Sequence, residues 1–218
     1  MMYMLTKEEG RFLVKIARKA VETYITLFET IKPPEDITDN LKKKRGVFVT
    51  LEKIEIVNDM VSTSLRGCIG FPEPIYPLIE ATINAAIAAA TQDPRFPPVL
   101  PDELDNIIFE VSVLTVPKKL EYDDPKNLPN MIKVGRDGLI VERGFFRGLL
   151  LPQVPVIYEW DEKEFLSQAC FKAGLSPNAW LKGDVIIYTF QAQIFAEESP
   201  NGEVIEKILL VEPEDEYE

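Results

Sequence analysis

Between Pro77 and the Asp93-Pro94 break runs Leu78 to Ala90, a segment whose apolar residues circle a helix almost completely. A helix with no polar face has to be buried, and alanines such as Ala85, Ala86 and Ala88 to Ala90 let it pack closely against a sheet or a neighbour. The fold must therefore supply cover on all sides of this helix. Segments rich in strand formers flank it: Gly46 to Leu51, which Lys53 to Val57 extends or pairs with, Val61 to Ile69, and Asn106 to Val116. Asn58-Asp59 reads as the turn of a hairpin.

Two further helices carry their own start signals. Thr6 with Glu9 forms a capping-box pattern ahead of Phe12, Leu13, Ile16, Ala17, Ala20, Tyr24 and Phe28, which repeat at helical spacing. That helix runs to about Leu27 and must end before Pro33-Pro34. Asp161 with Glu164 opens another, which Gly174 stops, and it carries Cys170 among Phe165, Leu166 and Ala169 as core packing. Met131 to Val134 and Leu139 to Glu142 flank an Asp137-Gly138 turn and predict a hairpin. Phe145 to Leu151 is another apolar segment, and Asp184 to Phe195 and Val204 to Val211 are the closing strands. Strands that cluster between isolated helices predict an α+β fold, mainly antiparallel, with about three main helices. A length of 218 residues suits one domain over 1–218, or two closely packed subdomains.

Composition narrows the chemistry. The chain has no histidine, which removes Ser-His-Asp and Cys-His pairs, histidine bases and histidine metal ligands. Two cysteines cannot make a thiolate zinc site within one chain, and no EF-hand-like acidic spacing suits calcium, so no metal is expected and no cofactor is assigned. The formal net charge of −12, part of it in an acidic tail at 212–218, argues against nucleic-acid binding. The one basic run, Lys42 to Arg45, reads as a solvated loop. The absence of a signal-type apolar core or a run of roughly 18 uncharged residues predicts a cytoplasmic protein without a membrane span.

The chemistry that remains centres on Leu65-Arg66-Gly67-Cys68-Ile69-Gly70, at the far end of the strand from Val61. Glycines such as Gly67 and Gly70 let a backbone or a ligand approach closely. Strand alternation puts Arg66 and Cys68 on one face, where a guanidinium favours thiolate over thiol. Bringing an ordinary thiol to half ionisation at neutral pH takes about 2 kcal/mol, within reach of one partly desolvated arginine. Cys68 is thus either a reactive or ligand-contacting thiol or a small buried hydrophobe. Arg66 either forks onto a small anionic ligand or pairs with Asp93 or Glu110. Asp93 and Arg95 sit in a proline-bounded turn fit to wall a cleft, and Glu110 is solvated, partnered or functional. Gln153, the one side-chain hydrogen-bonding group of Gly148 to Val154, either orients a substrate or satisfies loose backbone.

Five ordered blocks carry a resemblance: Leu65 to Gly70, Asp93-Pro94-Arg95-Phe96, Glu110 to Leu114, Gly148 to Val154 and Cys170 to Leu175. Together they resemble the AMMECR domain family, in its compact archaeal form, over nearly the whole chain. The resemblance implies an α+β fold of two unequal subdomains, with the Leu65 to Gly70 segment as its signature. It implies association with Memo-like or radical-SAM partner proteins, and no established catalytic set to carry over. Lys53 to Ser64 is longer than the family's usual connection into the signature.

Two functions compete on this reading. The first is a small-molecule or catalytic site at the subdomain junction, with Cys68, Arg66 and Glu110 as catalytic candidates and Gly67, Gly70, Asp93, Arg95 and Gln153 contacting substrate. The second is a non-catalytic interaction or assembly module with an inert Cys68 and an apolar docking surface.

Overall fold

The structure is a computed structural model and describes residues 5–57 and 60–209. The expected Asn58-Asp59 turn and the acidic tail lie outside the described residues. The chain forms two compact units, one of residues up to Val116 together with Gln193–Lys207, the other of Pro117–Ala192.

In the first unit α1 (Lys7–Leu27) starts as its capping box requires. Thr6 Oγ1 accepts from the Glu9 amide, and the Glu9 carboxylate accepts from the Thr6 amide. A short α2 (Asp39–Lys42) leads into the hairpin β1 (Val47–Val57) and β2 (Met60–Phe71). The apolar run becomes α3 (Leu78–Thr91), in which eleven of fourteen residues are buried, as its all-round hydrophobicity demands. β3 (Ile107–Leu114) follows, buried along its whole length.

The second unit opens with β4 (Lys118–Lys119) and α4 (Leu128–Met131), then β5 (Gly138–Arg143), β6 (Phe146–Leu150), α5 (Gln153–Ile157), α6 (Glu162–Lys172) and β7 (Ile186–Phe190). The chain then returns to the first unit with β8 (Ala192–Glu197) and β9 (Val204–Lys207).

The sheet of the first unit has the order β2-β1-β3-β8-β9, that of the second β4-β7-β5-β6. Every pairing whose register is described is antiparallel, so the α+β, mainly antiparallel expectation holds. α1 and α3 pack on one face of the first sheet, against Val47, Val49, Leu51, Phe109, Val111 and Val113. A buried pair ties α1 to that sheet. Arg18 donates to both oxygens of Glu197 at 2.6 Å and lies over the Phe109 ring. The second unit has its own core, in which α6 sets Phe165, Leu166 and Cys170 against Leu139, Val141 and Ile187.

Three expectations need correction. The hairpin placed across residues 131–142 lies one element later, between β5 and β6, on the two-residue loop Gly144-Phe145 with Gly144 at φ +60°. Asp137 is the cause. Its carboxylate accepts from the Lys133 amide and its own amide donates to the Lys133 carbonyl, which folds 133–137 into a turn. The run from Asp184 to Phe195 is two strands, β7 and β8, in different sheets, with no Gly or Pro to mark the break at Gln191. The closing strand ends at Lys207, short of the predicted Val211.

Candidate functional site

Opposite the helices, the first sheet carries a polar row across three strands. Cys68 on β2 faces Thr50 on β1, and Thr50 faces Glu110 on β3. Alternation along β1 sends Val49 and Leu51 to the helices and leaves Thr50 and Glu52 on this other face. Thr50 Oγ1 donates to Cys68 Sγ at 3.3 Å, and the Cys68 amide donates to Asp93 Oδ2 at 2.8 Å.

Asp93 lies two residues beyond α3, in the turn that the proline after it encourages. It is buried and grips Arg95 through Nε at 2.9 Å and Nη2 at 2.6 Å, and also accepts from the Arg95 amide. The Arg95 side chain is half-exposed and leans over the Phe96 ring. At the other end of the row the Lys207 ammonium reaches Glu110 at 2.7 Å, so Glu110 is a buried, partnered carboxylate.

The electrostatics differ from the simplest reading of the motif. Burial pushes the Cys68 thiol up, and the Thr50 hydroxyl and the Arg95 charge offset it only in part. At neutral pH Cys68 is therefore a neutral thiol. Hydrogen bonds from Arg95 hold the Asp93 carboxyl well below the usual carboxylate range, against the cost of its burial. Burial pushes Glu52 up, opposed by Lys207 and reinforced by Glu110. Glu52 thus shares this face with Thr50 as a partly buried carboxyl that burial disfavours in its charged form.

Arg66 does not join this row. Leu51 pairs with Gly67 but Glu52 pairs with Leu65, so Arg66 is the extra residue of a β-bulge and alternation breaks there. Its guanidinium donates to both Glu103 oxygens, at 3.0 and 2.9 Å, and to the carbonyls of Pro97 and Pro98. This corrects the expectation that Arg66 activates Cys68 or pairs with Asp93 or Glu110. Its partner is the partly buried Glu103, held down to about 2 chiefly by hydrogen bonds from Arg66. A groove of about 500 Å³ runs over this pair, walled by Phe96, Pro97, Pro98 and Leu100.

The glycines of the motif make room for protein. A Cβ on Gly67 would sit 2.1 Å from the Ala89 carbonyl oxygen of α3, and one on Gly70 would strike the Phe48 ring. Gln153 belongs to the second unit, as the first residue of α5. Thus Cys68, Asp93, Arg95 and, through Thr50, Glu110 come together, whereas Arg66 is committed elsewhere. Sequence reasoning missed Thr50, Glu52, Glu103 and Lys207. The alternation of β1 was the one available signal, since it sets Thr50 and Glu52 apart from Val49 and Leu51.

Among the described residues no group of three or more His, Cys, Asp or Glu side chains could hold a metal ion, and no helix is long and apolar enough to cross a membrane. Comparison with known proteins finds the AMMECR1 family model matching residues 14–195. A protein of Thermofilum pendens is 58% identical over 210 residues, spanning 95% of this chain and 98% of its own. Protein TK0174 of Thermococcus kodakarensis is 56% identical over 209 residues, 96% of this chain and 100% of its own. The crystal structure of the uncharacterized protein PH0010 from Pyrococcus horikoshii superimposes with a TM-score of 0.88 at 54% identity, covering 94% of this chain and 99% of that one.

Proposed function

The chain belongs to the AMMECR1 family, and we propose that it binds a small anionic molecule on the polar face of its first sheet, with Arg95 as the anion's partner and Cys68 as the thiol beside it. One contrast carries this reading. Cys170 is fully buried in a hydrocarbon core, where a cysteine serves as a small hydrophobe. Cys68 is only partly buried and lies among a hydroxyl, two ion pairs and a half-buried carboxyl. A fold gains nothing in packing by surrounding a thiol with charge. Such an arrangement suits a site that meets a polar ligand.

Arg95 is the guanidinium that supports ligand binding. Asp93 takes Nε and Nη2 and fixes the plane of the fork, while half of the side chain stays open to solvent. The donors of Arg66 are spent on Glu103 and the proline carbonyls. Reaction at Cys68 starts from the neutral thiol, and Glu52, a carboxyl on the same face that burial pushes up, is assigned to take up its proton.

Alkylation of the folded full chain by iodoacetate and iodoacetamide, followed by peptide mass spectrometry, tests the proposal. The two reagents attack thiols alike, but only iodoacetate is an anion. We expect Cys68 to react while Cys170 stays protected, with a rate that climbs at pH above the ordinary thiol range. The iodoacetate-to-iodoacetamide ratio at Cys68 should exceed that of free cysteine and fall in Arg95→Met. Protection of Cys68 until global unfolding would overturn the site. A ratio unchanged by Arg95→Met would overturn the anionic ligand.

A further inference from the structure

The two edges of the second sheet are built very differently. At one edge β4 is two residues long, Lys118-Lys119, both exposed, and a short lysine-bearing edge resists pairing with another chain. At the other edge β6, Phe146 to Leu150, has neither lysine nor proline. Its one charge, Arg147, is neutralised within the chain by Glu142 at 2.9 Å.

Three phenylalanines are exposed beside that edge, on which no strand among the described residues pairs beyond β6. Phe145, at the tip of the β5–β6 loop, is 107% exposed, Phe146 53% and Phe171 67%. Phe146 lies against Gly174, three residues past Phe171, so both belong to the surface at the C-terminal turn of α6. At roughly 200 Å² per phenylalanine the three rings expose about 450 Å² of apolar surface. A stable interface buries about 800 Å² on each partner, so these rings would supply over half of one.

We propose that this face is a homodimer interface, in which β6 pairs antiparallel with β6 of a second copy about a two-fold axis. The occupant follows from three features. An apolar patch on a chain of formal charge −12 is best covered by a surface that brings no net charge, and the β6 face itself is such a surface. An edge strand paired with its own copy is self-complementary under two-fold symmetry, as an isologous contact requires. With the axis at Gly148, Phe146 of each copy stands opposite Leu150 of the other, an apolar cross-strand pair at either end. The four-stranded sheet then continues across the interface as eight strands.

Sedimentation analysis of the full chain from about 1 to about 100 µM reads the outcome directly. A mass of twice 24.8 kDa is expected, with a dissociation constant at least about 100-fold weaker in Phe146→Ser/Phe171→Ser. Both side chains are more than half exposed, and retention of the wild-type circular dichroism and melting temperature verifies that the variant is folded. Hydrogen exchange of the β6 amides should slow as the wild-type dimer forms. A monomer throughout the range overturns the proposal. So does a dimer indifferent to the two substitutions, or one that leaves β6 exchange unchanged.

Discussion

Replacing Glu103 by glutamine keeps the side chain's shape and removes its charge from beneath Arg66. In the wild-type protein Arg66 donates to both Glu103 oxygens and to two carbonyls, with its side chain 9% exposed. The variant leaves a desolvated guanidinium with a single neutral side-chain acceptor and turns an amide donor toward it. Loss of one partner of a buried pair costs about 3–5 kcal/mol. Glu103 retains some exposure and also interacts with Lys53 at 3.5 Å, which the substitution disturbs less, so the lower end applies. The Glu103 carboxyl supplies an independent estimate, since a fall from 4.5 to about 2 corresponds to roughly 3 kcal/mol. Discounted for its partial exposure, this becomes about 2 kcal/mol.

The sign follows from linkage. A carboxyl depressed in the folded state stabilises above its unfolded value and loses that contribution as pH falls through the folded one. The stability difference between wild type and Glu103→Gln should therefore be about 2–3 kcal/mol at neutral pH, and shrink between about pH 4.5 and pH 2. Asp93 also titrates in acid, but it is present in both proteins and cancels in the difference. Urea unfolding of both proteins at stepped pH measures this. A difference under about 0.5 kcal/mol at neutral pH, or one that stays constant down to about pH 2.5, would refute the argument.

Two further outcomes are expected from urea unfolding. Gly67→Ala places a methyl group 2.1 Å from a backbone carbonyl of α3, so the helix must shift, at a cost of about 3 kcal/mol; a loss under about 1 kcal/mol would show that α3 does not seat against β2 as described. Glu197→Ala strands the buried Arg18 guanidinium and an amide of Phe109, and should cost about 3–5 kcal/mol; if Arg18→Met/Glu197→Ala is no more stable than Glu197→Ala alone, the stranded charge is not the cause.

What could be read directly from the sequence was local. Thr6 with Glu9 and Asp161 with Glu164 sit within one turn of each other, so their caps needed no tertiary knowledge. The all-apolar run of α3 could only be buried. Features that depend on strand register were not legible. No residue type marks the bulge at Arg66, and the sheet change at Gln191 falls inside an uncharged run from Val185 to Ala196 that has no Gly or Pro. Lys207 meets Glu110 only once β8 and β9 have joined the sheet beyond β3.

Competition among nearby acids decides the partner of Arg66. A buried guanidinium needs a carboxylate, and Asp93, Glu103 and Glu110 are the acids that concern it. These acids are not equally available. Arg95 stands two residues from Asp93, and closing so short a loop costs less entropy than bringing Arg66 to it across 27 residues. Glu110 lies on the sheet face away from the helices, with Thr50, while the bulge turns Arg66 out of that row. Glu103 is what remains. It is already fixed in place by accepting from the Leu100 amide three residues earlier, so little further ordering is needed to receive the guanidinium. The same competition that makes Arg66 a brace for the 97–103 loop leaves Arg95, held by Asp93 yet half in solvent, as the guanidinium beside Cys68. The conspicuous arginine of the motif holds the scaffold, and the less conspicuous one, two residues past Asp93, is the guanidinium on which the proposed anion site rests.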